Sequence, residues 1–160
     1  MKTNSLFLVA VLGVALLWLT ACDNKRVYES YYSPGESGWH SDSAAVFNVP
    51  INDIFKQYNI LVQVRNNAEY PNCNLWLFIE SQSPTGKIKN DTIECLLANA
   101  KGEWIGRGWG SLYFIHFPFQ KNVKFQENGN YKFTIRQGMR THELKGIHDI
   151  GIRVERSSGK

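Results

Sequence analysis

Short runs with the two-residue periodicity of β-strands recur along this 160-residue chain. The clearest is Tyr58–Arg65, in which Ile60, Val62 and Val64 share one side of an extended backbone. This alternation is typical of a half-buried strand. Further runs with strand character are Arg26–Tyr32, Ala44–Val49, Leu75–Glu80, Asp91–Ala98, Trp104–Trp109, Leu112–Phe119, Val123–Phe125, Tyr131–Arg136 and Ile150–Glu155.

Turn-forming residues (glycine, proline and asparagine) separate these runs. Together they predict an all-β protein, an antiparallel β-sandwich of about eight or nine short strands. The run Leu75–Glu80 is apolar almost throughout and is expected to form a central strand covered on both faces. Helix is expected only as single turns near Ile51–Tyr58 and His142–Gly146.

The N-terminal segment has the pattern of an export signal. Lys2 precedes an apolar run of 14 residues, Leu6–Leu19, which is shorter than the roughly 20 residues of a membrane-spanning helix. Leu19-Thr20-Ala21-Cys22 resembles a bacterial lipobox, in which the thiol receives a diacylglyceryl group and cleavage leaves the cysteine at the N-terminus. We therefore predict a lipoprotein signal peptide over residues 1–21 and lipidation of Cys22.

The remaining chain has the length of one domain. We expect the lipidated cysteine and a short tether over residues 22–26, followed by a single β-sandwich domain over residues 27–160. Stable membrane attachment needs two acyl chains, which a diacylated cysteine supplies. The expected location is the cell envelope, with the domain anchored to a membrane by lipid and facing the periplasm; the inner and the outer membrane both stay open.

Charge and cysteine content narrow the function classes. There are 18 basic and 14 acidic residues, and removal of Lys2 with the signal peptide leaves a net charge of +3. The basic residues form no block and the chain is exported, so no nucleic-acid partner is expected. Cys73 and Cys95 remain after Cys22; export permits a disulfide, but Cys95 lies in an apolar run and two free thiols are favoured.

Catalytic patterns are scarce. The four histidines, which are His40, His116, His142 and His148, form no compact ligand set, and neither a metal nor another cofactor is expected. No Gly-x-Ser-x-Gly motif occurs. Asp91, Glu94 and Glu103 are the candidates for a hydrolase with paired carboxylates, but one sequence does not show that two of them meet. We predict that the chain is not an enzyme.

Three tryptophans lie in or beside glycine-containing loops, namely Trp39, Trp104 and Trp109. They are candidates for three different roles. They can close the ends of a sandwich core, form the centre of a protein interface, or stack on sugar rings.

Several stretches, taken in order with the lipobox, resemble the gliding-motility lipoprotein GldH family of the Bacteroidota. They are Tyr31-Tyr32, Val64-Arg65-Asn66-Asn67, Asn74–Ile79, Asp91–Ala98, Gly102–Gly108, Gly129-Asn130-Tyr131, Gln137–Arg140 and Leu144–Gly151. The resemblance implies a non-catalytic envelope lipoprotein, accessory to the gliding machinery and the linked type IX secretion system. It would act through contacts with other envelope proteins. The alternative function is a surface carbohydrate-binding lipoprotein module.

The resemblance also draws attention to an O-glycosylation pattern of that phylum, Asp-Ser/Thr followed by an apolar residue. Asp42-Ser43-Ala44 and Asp91-Thr92-Ile93 match it. Ser43 and Thr92 are therefore candidate O-glycosylation sites, with Ser43 expected in a loop and Thr92 in a strand.

Overall fold

A computed structural model describes residues 23–158 of the chain. The predicted signal peptide and Cys22 lie outside these residues. The strands are β1 (Arg26–Tyr32), β2 (Trp39–His40), β3 (Ala45–Ile51), β4 (Tyr58–Asn67), β5 (Asn74–Gln82), β6 (Ile88–Leu96), β7 (Arg107–Trp109), β8 (Leu112–Val123), β9 (Gly129–Gln137), β10 (Glu143–Leu144) and β11 (Ile147–Arg156).

The strands form two main sheets arranged as a sandwich. One has five strands in the order β1-β11-β4-β8-β7, and the other has four in the order β3-β9-β5-β6. A two-stranded sheet joins β10 to β2. Neighbouring strands are antiparallel throughout, so the predicted all-β sandwich is confirmed. The structure has more strands than predicted because β2 and β10 have two residues each, too few for a detectable period.

The core lies between the two main sheets. In β3 every second side chain from Ala45 to Ile51 is buried, and the inner residues of β4, β5, β9 and β11 join them in one apolar cluster. Full burial of one large aliphatic side chain stabilises the fold by roughly 1.5–3 kcal/mol relative to exposure. The alternation read from Tyr58–Arg65 therefore places Ile60, Val62 and Val64 correctly.

Both predicted helical turns were wrong, and within residues 23–158 no residue is helical. Between Ile51 and Tyr58 the chain makes a non-helical turn that joins β3 to β4. In the segment His142–Gly146, Glu143 and Leu144 pair with His40 and Trp39. This pairing provides the local segment with backbone partners from a distant part of the chain, which local sequence does not reveal.

Each end of the sandwich gathers loops from both sheets, because the strands are antiparallel. The N-terminal end is formed by residues 23–26, 52–57, 83–87, 121–128 and 156–158. The opposite end includes residues 68–73, 97–106 and 138–146. At about 3.3 Å per residue, the ten residues of β4 separate the two ends by about 33 Å.

The predicted tether is folded against the domain. Asp23 forms an ion pair with Arg153 on β11, and the carbonyl oxygen of Lys25 accepts a hydrogen bond of 2.7 Å from the backbone N–H of Arg156. Arg26 already belongs to β1. The described residues therefore contain no free spacer before the first strand.

Candidate functional site

Trp39 belongs to the core rather than to the surface. It has no exposed area, and its Nε1–H donates a 3.1 Å hydrogen bond to the carbonyl oxygen of Ser43. Its ring lies 6.4 Å from that of Tyr32. The structure thus contradicts Trp39 as an interface or sugar-stacking residue and agrees with the alternative that it closes the core.

The other two candidate tryptophans do not form an exposed pair. Trp104 is half-buried, and its ring lies between those of Tyr70 at 6.5 Å and Tyr113 at 5.6 Å. Trp109 ends β7, and its side chain is outside what the structure describes. Interface or sugar-binding roles for Trp104 and Trp109 stay predictions.

The two candidate glycosylation sites differ in exposure. Ser43 is half-buried in the turn after β2, where its backbone N–H donates a 3.0 Å hydrogen bond to the carbonyl of His40. Thr92 lies in β6 as expected, but it is exposed and faces Phe78 across the sheet. Exposure makes Thr92 the more accessible hydroxyl; both modifications stay predictions.

The three candidate catalytic carboxylates do not converge. Asp91 and Glu94 are an odd number of residues apart on β6, so they lie on opposite faces of the sheet. Glu94 accepts a 2.5 Å hydrogen bond from Asn74. Glu103 lies beyond β6, in the loop 97–106, where it is hydrogen bonded to Asn99. A paired-carboxylate mechanism needs two such groups facing one cleft, and this arrangement offers no support for it.

Metal binding and thiol chemistry have little structural basis in the described part of the chain. Within residues 23–158, no three His, Cys, Asp or Glu residues are grouped so that they could hold a metal ion. Cys73 and Cys95 are both free thiols, as predicted. Burial of Cys95 raises the pKa of its thiol to about 12, which keeps it protonated and unreactive.

The outer side of the four-stranded sheet carries an exposed apolar face, formed by Trp76, Phe78 and Leu96. Their exposed fractions are 39%, 51% and 54%. The prediction that Leu75–Glu80 is covered on both faces was therefore wrong. The inner side chains of this run, Leu75, Leu77 and Ile79, are fully buried, while its outer aromatic side chains, Trp76 and Phe78, stay partly exposed.

The turn after β9 holds the aromatic pair of this apolar face in place. The N–H of Gly138 donates a 2.7 Å hydrogen bond to the carbonyl of Trp76, and the sulfur of Met139 lies 3.4 Å from the backbone nitrogen of Trp76. A methyl group on Gly138 would come within 3.0 Å of the Phe78 ring. Glycine at this position lets the turn pack directly against the aromatic side chains.

Charged residues border the apolar face. Glu94 is paired with Trp76 in the strand register, and Arg136 is paired with Phe78. An apolar aromatic centre with a charged margin is the usual arrangement of a protein interface. Sequence reasoning missed this face because both sides of β5 are apolar, and the alternation of inner and outer residues is then invisible.

The outer side of the five-stranded sheet carries instead a charged face, centred on Glu29 of β1 and Arg153 of β11. The Glu29 carboxylate accepts hydrogen bonds from Gln63 at 2.7 Å, from Arg26 at 2.9 Å and from Tyr31 at 3.2 Å, and lies 3.3 Å from Arg153. Burial alone would raise the pKa of Glu29. The hydrogen bonds and the Arg153 charge outweigh this and lower the pKa to about 2.

A second ion cluster continues the charged face toward the opposite end. Asp149 is 4% exposed and interacts with Ser33, with His148 at 2.7 Å and with Arg65 at 3.3 Å. Burial favours a higher pKa of Asp149, but these partners lower it. The Arg65 guanidinium also lies 4.4 Å from the centre of the Tyr31 ring. The charges of this face are neutralised within the sheet, which points to a structural role.

Comparison with known proteins identifies the family of this chain. Residues 26–154 match the family model described as GldH lipoprotein. The chain belongs to the GldH lipoprotein family. It is 38% identical over 161 residues to the "Gliding motility lipoprotein GldH homolog" of Christiangramia forsetii, covering 96% of this chain and 98% of that protein. It is also 38% identical over 152 residues to the "Gliding motility lipoprotein GldH" of Flavobacterium johnsoniae, covering 91% and 94% of the two chains.

The GldH resemblance predicted from the sequence is thereby confirmed. The matched range begins at the first residue of β1 and ends within β11, so it contains the apolar face and nearly all of the charged face. In the described part of the chain, no helix is long and apolar enough to span a bilayer.

Proposed function

We propose that this GldH-family chain is a non-catalytic accessory lipoprotein of the gliding-motility and type IX secretion machinery. Diacylated Cys22 would hold it at a membrane of the cell envelope, with the sandwich domain (residues 27–160) in the periplasm. The domain would bind a partner protein of that machinery through the apolar face. The observation that carries this proposal is the exposed Trp76 and Phe78 pair.

The geometry of the apolar face supports a protein partner. Gly138 and Met139 contact the backbone of Trp76, and Gly138 packs against the Phe78 ring, so the backbone of this face is positioned before a partner binds. Tryptophan and arginine are enriched among the residues that dominate binding energy, and Arg136 adjoins Phe78. Truncation of such a central side chain typically weakens binding by at least about 2 kcal/mol.

A non-catalytic role is supported by the separation of Asp91, Glu94 and Glu103. The remaining ionised clusters, on the charged face, are occupied by their own partners.

Lipid attachment is tested by metabolic labelling with palmitate. The wild type should incorporate the label and the Cys22→Ala variant should not, because only a thiol at this position can carry the diacylglyceryl group. Equal labelling of the two proteins would disprove the anchor.

The role of the apolar face is tested in a gliding bacterium that lacks its own GldH lipoprotein. Wild type should restore colony spreading and the secretion of surface adhesins, whereas Trp76→Ala and Phe78→Ala should not. Val46→Ala is the matched control, since Val46 is 51% exposed on the same sheet but outside the apolar face. Normal spreading with Trp76→Ala, at equal protein level and acylation, would exclude this face as the docking site.

Carbohydrate binding is the alternative function. It is favoured by the exposure of Trp76, because an exposed tryptophan can stack on a sugar ring. A glycan array with the purified protein separates the two functions. Saturable sugar binding that is abolished by Trp76→Ala, Trp104→Ala or Trp109→Ala would replace the protein partner with a glycan.

A further inference from the structure

The N-terminal end of the sandwich gathers cations that have no partner. Six basic residues there are exposed and form no ion pair within residues 23–158; they are Lys25, Lys56, Lys87, Lys121, Lys124 and Arg156. They come from five separate segments, which strand pairing brings to one end of the molecule.

The carboxylates of the same end are already engaged. Asp23 and Glu155 pair with Arg153. Glu127 accepts a 2.8 Å hydrogen bond from Thr85, and Asp53 accepts one of 3.0 Å from the backbone of Phe55. The donors to Glu127 and Asp53 are neutral, so six unpaired cations stand against two unpaired carboxylates, and the end presents a net positive surface to solvent.

One large apolar side chain projects from the same end. Phe55 is 87% exposed, more than any other large hydrophobic residue of the described chain. Its loop is fixed, because the Tyr58 hydroxyl donates a 2.7 Å hydrogen bond to the carbonyl of Asp53. A single exposed apolar residue is ordinary by itself, but an aromatic ring among free cations is the combination that binds the interface of an anionic bilayer.

The position of Cys22 in the chain indicates that a membrane surface covers this end. Cys22 directly precedes Asp23, whose side chain is paired with Arg153 at the N-terminal end. The side chain of Asp23 and the backbone of Lys25 are bound to β11, so residues 23–25 provide no spacer. Acyl chains on Cys22 would therefore enter the bilayer beside these cations and Phe55.

We propose that the N-terminal end binds the anionic phospholipid surface of the membrane that carries the anchor. The six cations contact lipid headgroups and Phe55 enters the interface. This inference rests on the proposed acylation of Cys22. It orients the domain with the opposite end, near which Trp76 begins the apolar face, away from the bilayer and toward partner proteins.

The test is hydrogen–deuterium exchange of the acylated protein in phosphatidylcholine vesicles made with or without phosphatidylglycerol. Segments 52–57 and 121–126 should exchange more slowly when phosphatidylglycerol is present, while segments 97–106 and 138–146 should not change. Each lysine near an anionic surface favours the contact about fivefold. The triple variant Lys56→Gln, Lys121→Gln, Lys124→Gln should therefore lose the slow exchange.

The matched control is the triple variant Lys101→Gln, Arg140→Gln, Lys145→Gln, which removes three exposed cations from the opposite end. It should behave as the wild type, and Phe55→Ser should lose protection of segment 52–57 alone. Flotation of the vesicles shows whether the protein is anchored. Protein that floats with the vesicles but has the same degree of protection from exchange at both ends of the sandwich would overturn the lipid contact and leave the anchor intact. So would an equal effect of the two triple variants. Protein that does not float would overturn the acylated anchor and, with it, this contact.

Discussion

The two outer sheet faces use their side chains in opposite ways. On the charged face, Glu29 is paired with Arg153 and Asp149 with Arg65, across β1, β4 and β11. On the apolar face, Trp76 and Phe78 remain half exposed. The charged face has little left to offer a partner, whereas the apolar face keeps surface whose burial on binding is favourable. We therefore expect changes on the charged face to lower stability and changes on the apolar face to impair function.

The largest effect on stability is expected for Arg153→Met, which keeps an apolar stem and removes the charge. Three carboxylates, those of Asp23, Glu29 and Glu155, would lose their shared cation. Removing one partner of a largely buried ion cluster costs about 3 kcal/mol in free energy of unfolding, measurable by urea denaturation. Arg136→Met on the apolar sheet is the matched control and should change stability by less than about 0.5 kcal/mol. Equal losses would remove the contrast between the faces.

A somewhat smaller effect is expected from acid. The pKa of Glu29 is about 2 in the folded chain, below its ordinary value of 4.5. A lowered pKa means that the stabilisation is complete above about pH 4.5 and is lost as pH falls toward 2. Wild type should lose about 2 kcal/mol more over this interval than Glu29→Gln does, as measured by urea midpoints. Parallel stability curves for the two proteins would show that Glu29 does not contribute in this way.

The smallest effect on stability is expected for Gly138→Val. The new side chain would meet the exposed Phe78 ring, which can move into solvent, so the loss should be only about 1 kcal/mol. The displaced ring should nevertheless reduce colony spreading, and Gly138→Ala should have a milder effect. A large loss of stability with normal spreading would reverse the roles assigned to the two faces.

Local pattern was sufficient for much of the fold. The alternation in Tyr58–Arg65 and Ile150–Glu155 predicted β4 and β11 because a period of two follows directly from strand geometry. Turn residues predicted most boundaries for the same local reason. The two-residue strands β2 and β10 were missed because their pairing joins segments about a hundred residues apart.

The candidate sites were less accessible to sequence reasoning. Trp39 was a candidate for closing the core as well as for an interface or sugar stacking, and it is buried, whereas Trp76 was expected inside a covered strand and is exposed. Composition ranks both as strongly apolar. Only the packing of the second sheet decides which of them meets water.

The sequence by itself determined the strand-rich class, the export and lipidation pattern and the family resemblance, because each depends on neighbouring residues or on ordered motifs. The tertiary structure alone decided which strand faces are covered. It also joined Glu29 to Arg153, which are 124 residues apart, and brought six unpaired cations to one end. These features depend on strand order, and strand order arises from contacts between distant segments that no local pattern specifies.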